Sequence, residues 1–71
     1  MFEKIKEFIT KTAVNAINAQ CSEEEAIYRG MGFGIVEFAV DNDLVDELEA
    51  KYLMVYLEET QKLIEIEKML Q

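Results

Sequence analysis

Apolar positions recur at steps of three and four along most of this chain, the spacing that puts them on one side of an α-helix. Phe2, Ile5, Ile9, Ala13, Ala16 and Gln20 follow that step, and Phe8, Thr12 and Ile17 widen the stripe. Lys4, Lys6, Glu7 and Lys11 fall largely off it, so the pattern predicts a first helix over about 2–19. A basic amphipathic helix can lie on a membrane. Here Glu3 and Glu7 dilute the charge and the second half is rich in alanine, which favours a packing face.

A local start signal follows. Ser22-Glu23-Glu24-Glu25 has the form of a capping box, with Ser22 as the cap and Glu25 reaching back to its N–H. Three glutamates in one turn also suit the positive end of a helix dipole. A second helix is therefore expected over about 23–40. Its latter part, Met31–Val40, is apolar apart from Glu37 and contains Gly32 and Gly34. Such a stretch could form a strand, but no second strand is available to pair with it and a lone strand is not stable.

Asp41-Asn42-Asp43 closes that helix and opens the next. Asn42 suits a left-handed turn position, and Asp43 suits the cap of a third helix over about 44–69. Glu47 with Lys51 and Glu58 with Lys62 are i,i+4 pairs in the favourable order. Proline is absent, and no linker or repeat divides the chain. The expected fold is all-α: one domain over residues 1–71, three helices in a small bundle, the third the longest and the whole completed by oligomerisation.

The expectation of a partner chain rests on length. At 1.5 Å per residue the third helix is about 40 Å long against about 27 Å for the other two. Its far end is apolar, with Leu63, Ile64, Ile66, Met69 and Leu70 leading on from Tyr56. An uncovered apolar overhang invites another chain. The second helix adds to this, because Met31–Val40 is apolar almost all round, which implies burial on more than one side, and Ala26, Gly30 and Gly34 lie four apart and allow close approach. Gly30, Gly34, Tyr56, Leu63, Ile64, Ile66, Met69 and Leu70 are the candidate oligomer interface, and a two-fold dimer is the favoured form.

Charge narrows the set of partners. The chain of 71 residues carries a net charge of −8. Residues 1–20 hold three lysines and two glutamates, and the rest hold four bases against thirteen acids, so the acidity belongs to the last two thirds. Such a surface repels nucleic-acid phosphate and anionic lipid, so neither is expected as a direct partner. It attracts a basic protein. The acids are densest at Asp41, Asp43, Asp46, Glu47 and Glu49, five in nine residues with no base among them. They form the candidate partner-binding patch, able to imitate a row of phosphates; a solvated helix start is the plainer reading.

Catalytic and metal chemistry is sparse. There is no histidine and one cysteine, Cys21, so a disulfide within the chain, a zinc site and a histidine-activated thiol are all excluded. Cys21 reads as a small apolar residue at a helix junction. Asp41-Asn42-Asp43-Leu44-Val45-Asp46 starts like a calcium loop, but Val45 and Asp46 stand where the loop needs a ligand and a glycine. Gly30-Met31-Gly32-Phe33-Gly34 lacks both the spacing and the preceding strand of a dinucleotide site. No metal, cofactor or enzymatic activity is expected. Arg29, the single arginine, stands beside Tyr28 and is the candidate anchor for an anion or a partner carboxylate, with an internal ion pair as its alternative use.

The start of the chain alternates charged and apolar residues, unlike a signal peptide, and its apolar runs are too short for a membrane span. With one free thiol, this suggests the cytoplasm. The expected function is non-enzymatic binding of another protein. In size and charge, though in no motif, the chain resembles small accessory proteins of bacteriophages and mobile elements that inhibit host defence or nucleic-acid-handling enzymes. An oligomeric sponge for a small anion or nucleotide, and a structural or assembly component, are the alternatives.

Overall fold

A computed structural model describes all residues, 1–71. Three helices follow one another: α1 Phe2–Ile17, α2 Ser22–Asp41 and α3 Glu47–Met69. They run up, down and up in a bundle 37 × 17 × 14 Å across, and every helix pair is in contact. No strand forms, and Met31–Val40 is helical throughout. None of the helices is long and apolar enough to cross a membrane.

α1 is the hub. Its buried side chains are Ile5, Ile9, Thr12, Ala13 and Ala16, the stripe read from the three-and-four spacing. Ile5 and Ile9 join Val36 and Ala39 of α2 and Leu53 and Leu57 of α3 in the larger core cluster. Ala13 and Ala16 join Ile64 in the smaller one, with Ile17 and Tyr28 against it. Buried polar atoms are all satisfied, because the Thr12 and Thr60 hydroxyls donate back to the carbonyls of Ile9 and Leu57.

At Gly32 the backbone of α2 comes close to side chains of both other helices. A methyl group there would stand 3.1 Å from Leu57 Cδ1 and 3.4 Å from Thr12 Oγ1. Leu57 is fully buried and has nowhere to move. Gly30 and Gly34 have nothing within 4 Å at the same position, so the glycine that permits close packing inside the chain is Gly32.

The helix ends differ from the sequence reading in instructive ways. α1 stops at Ile17, two residues early, and Asn18 caps it. The cap of α2 is Cys21 rather than Ser22, and no side chain caps it; Ser22 is already helical, so the Ser22–Glu25 box does not form. Cys21 is exposed rather than packed at the junction. A capping box does form at α3, one turn later than expected. Asp46 Oδ1 accepts from Glu49 N–H at 2.8 Å and Glu49 Oε1 accepts from Asp46 N–H at 3.0 Å. α3 therefore begins at Glu47 and not at Leu44.

The delay is caused by the way α2 ends. Asp43, not Asn42, takes the left-handed conformation, with φ 53°. Leu44 N–H donates to Ala39 O and Asp43 N–H to Val40 O, the double closure of a Schellman motif. Asn42 instead folds its side-chain amide back onto Phe38 O. The motif commits residues 42–44 to ending α2, leaving Asp46 as the next residue able to cap.

α3 does not overhang. Its end lies against the α1–α2 turn, where Lys68 Nζ donates to Ala19 O at 2.9 Å and Gln71 Nε2 to Ile17 O at 3.2 Å. Glu47 and Lys51 pair at 3.8 Å as expected, whereas Lys62 turns to Glu59 at 3.9 Å instead of Glu58. These exposed pairs contribute little.

Two stability outcomes follow from the packing. Gly32→Val should lower the unfolding free energy by about 1–3 kcal/mol, since it forces a stiff side chain into a filled site, whereas Gly30→Ala in dilute protein should raise it by about 0.5–1 kcal/mol. Urea unfolding followed by circular dichroism measures both. In the same assay Asp46→Ala should cost about 1 kcal/mol through loss of the cap.

Candidate functional site

The acidic patch occupies the α2–α3 turn and the first turn of α3, at the end of the bundle that also holds the start of α1. Its five acids do different things. Asp46 and Glu49 are tied to each other through the capping box. Glu47 faces Lys51 across an exposed pair. Asp41 and Asp43 are exposed and form no ion pair.

Those last two acids stand where folding disfavours them. Asp41 is the last residue of α2, at the negative end of the helix dipole, where an anion is repelled by the unpaired carbonyls. Asp43 fills the left-handed position of the Schellman motif, for which glycine is the usual choice because it has no Cβ to clash. Each costs a fraction of a kcal/mol up to about 1 kcal/mol. The turn is nonetheless well defined, held by the Asn42 side chain, the two motif bonds and the capping box, so both carboxylates project from a fixed backbone.

The same end carries one cation that sequence reasoning did not single out. Lys6 Nζ lies 5.2 Å from the ring centre of Tyr52, 5.5 Å from that of Tyr56 and 5.8 Å from that of Phe2. Tyr52 stacks on Tyr56 and meets Phe2 edge to face. The Tyr56 and Thr10 hydroxyls share a hydrogen bond. Charge on Lys6 is thus held over aromatic faces. A shallow groove lined by Phe2, Glu3, Lys6, Leu48, Glu49 and Tyr52 runs beside it, toward the acidic turn. The spacing of Phe2 and Lys6, four apart on one helix, was the only trace of this cluster in the sequence. Its other half comes from α3, which no local pattern connects to α1.

Tyr28 and Arg29 lie at the opposite end. Arg29 Nε donates to Gln61 Oε1 at 2.6 Å, one terminal nitrogen to Glu25 at 3.3 Å and the other to Glu65 at 3.1 Å. Lys68 reaches Glu25 from the other side at 3.8 Å. The guanidinium therefore clasps α2 to α3, and an anion would have to displace two carboxylates to reach it. Tyr28 packs against the smaller core cluster instead of projecting beside Arg29. The structure does not bring this pair and the acidic patch together.

The residues expected at an oligomer interface divide. Ile64 is fully buried inside the chain and cannot contact another, which corrects that assignment. Tyr56 is half-buried against the larger core cluster. Leu63, Ile66, Met69 and Leu70 are exposed, Met69 to 84%. Gly30 and Gly34 lie open on the outer side of α2, among exposed Ile27, Met31, Phe33, Phe38 and Val40. The expectation that the apolar stretch of α2 is buried on several sides does not hold within one chain, since only Gly32, Val36 and Ala39 are buried.

No protein-family model, curated protein or solved structure matches this chain.

Arg29→Met should cost about 1–2 kcal/mol in urea unfolding, through loss of charge-assisted hydrogen bonds at a partly buried site. Arg29→Lys should recover only part of it, since a point charge cannot reach three partners in a fork. Added phosphate should leave the wild-type midpoint unmoved beyond the effect of ionic strength, as measured against chloride.

Proposed function

We propose that this protein is a non-enzymatic binding protein whose acidic turn, led by Asp41 and Asp43, docks on a basic surface of another protein. The observation that carries the reading is the position of those two acids. Both occupy sites where a neutral residue or glycine gives a more stable fold, both are free of internal cations, and both are held on a rigid turn. Stability given up at exposed positions is the usual mark of a surface kept for something else. A preorganised carboxylate pair gains more on meeting a cation than a mobile one, because less ordering remains to be done.

Arg29, engaged by Glu25, Gln61 and Glu65, supports protein contact over an anion or nucleotide sponge. The excess of acid also supports a basic partner, of which a nucleic-acid-handling protein is the natural type, since its groove is built for phosphates. Inhibition by occupying such a groove follows from the same chemistry.

The test separates folding from binding. The double variant Asp41→Asn, Asp43→Gly should be more stable than the wild type by about 1 kcal/mol in urea unfolding. It should also lose a partner that the wild-type protein captures from cell lysate and binds again when both are purified. That binding should weaken as salt is raised. A partner held equally well by the stabilised variant would overturn the assignment.

A further inference from the structure

We propose that the groove between α2 and α3, beside the acidic turn, receives an arginine side chain of a basic partner protein. The inference takes the class of partner from the acidic-turn reading, and its test uses a small probe whose outcome is independent of partner capture.

The groove has an apolar floor and an acidic rim. Phe33, Val36 and Val40 of α2 and Met54 of α3 line it, and Glu37 and Asp41 of α2 complete the lining. The five residues of α2 follow steps of three and four, which puts them on one side of the helix. Val36 is buried, whereas Phe33, Val40 and Met54 are half-exposed. At about 300 Å³ the groove stands at the small end of ligand sites, with room for a side chain rather than a cofactor.

No cation lines this groove. Glu37 and Asp41 stand four apart on α2, where like charges repel, and neither forms an ion pair. The last turn of α2 has no basic residue to offset them. Lys51, the cation nearest to Met54 along α3, is paired with Glu47 and does not reach the groove. Glu58, four residues on from Met54, is exposed and unpaired, so it adds a further acid on that side of α3.

An apolar floor with two carboxylates on one rim fits a side chain that is apolar along its stem and cationic at its tip. A wholly apolar occupant would strip water from Glu37 and Asp41 without replacing its hydrogen bonds. A lysine brings a compact point charge, while a guanidinium presents a planar fork of five donors. In an i,i+4 pair such as Glu37 and Asp41 the Cβ atoms are about 5–6 Å apart, so one guanidinium can donate to both carboxylates. Its flat face can also lie on the exposed Phe33 ring. Asp41 then serves the turn and the groove together, whereas Phe33 and Glu37 lie outside the turn and report on the groove alone.

Titration of the isotope-labelled full chain with N-acetyl-arginine methylamide, followed by NMR, tests the inference. Saturable shifts are expected for the amides of Phe33, Glu37, Val40 and Asp41 and for the Met54 methyl group, with millimolar affinity. The lysine analogue should bind more weakly, and the uncharged citrulline analogue at least about tenfold more weakly. Glu37→Gln should weaken arginine binding about tenfold and Phe33→Ala about threefold. Both side chains are exposed, so helix content by circular dichroism should be unchanged. Asp43→Asn, in the turn but outside the groove, should leave the affinity within about twofold. Shifts that fail to saturate, or that spread evenly over the exposed acids, overturn the proposal. So does equal binding of the lysine or citrulline analogue, or an undiminished affinity of Glu37→Gln. A partner that is lost by the Asp41→Asn, Asp43→Gly variant, with no arginine binding in the titration, would leave the acidic-turn reading standing and remove this one.

Discussion

Thr12, Gly32 and Leu57 meet at one level of the bundle, one from each helix, and the approach they allow sets everything around them. A Cβ on Gly32 would crowd both the Leu57 side chain, at 3.1 Å, and the Thr12 hydroxyl, at 3.4 Å. With α2 drawn in at that point, Val36 and Ala39 reach Ile5, Ile9 and Leu53 on one side of it. Ala13 and Ala16 reach Ile64 on the other. The core is thin, with 12 of 71 residues buried, so a small outward shift of α2 would open much of it. The polar ties then act as fasteners at the periphery: the Arg29 clasp, Lys68 on the Ala19 carbonyl, and Lys6 over its three rings.

Much of this was legible in residue spacing and some of it could not be. The α1 stripe contained every buried residue of that helix, because a helix with one covered side writes its burial into its period, although Phe8 and Gln20, counted in the same stripe, are exposed. The same rule misled at α2, where an apolar run was read as burial on several sides. An apolar run does not by itself say how many of its sides are covered, and this chain covers only the side that holds Gly32, Val36 and Ala39. Close packing at Gly32 rather than at Gly30 or Gly34 was equally invisible, since all three sit in the same helix and only the register against α3 distinguishes them. The capping signals failed for a local reason. Ser22 and Asp46 are both good caps with a glutamate three residues on, and the winner depends on where the preceding turn releases the chain. At α3 the Schellman closure through Asp43 decided that point. The apolar end of α3 was read as an overhang; Lys68 and Gln71 tie that end to the α1–α2 turn, while Leu63, Ile66, Met69 and Leu70 stay exposed.

The candidate sites show the same division between short-range and long-range information. The density of acids at residues 41–49 is a property of the sequence, and no structure was needed to see it. Which of them are free is a property of the fold. Asp46 and Glu49 are occupied in holding α3, and only Asp41 and Asp43 remain uncommitted. Arg29 went the other way. An internal ion pair was among its expected uses, but its partners Gln61 and Glu65 are distant in sequence and unremarkable there, so only the fold shows which groups it meets.

An odd number of helices has a consequence for whatever is attached to this protein. The chain enters at the end that holds Lys6 and the acidic turn and leaves at the end that holds the Arg29 clasp, with Gln71 tied down at the exit. The long dimension of the bundle is 37 Å. Anything joined to the first residue and anything joined to the last are therefore kept at opposite poles, and the domain behaves as a strut rather than a hairpin.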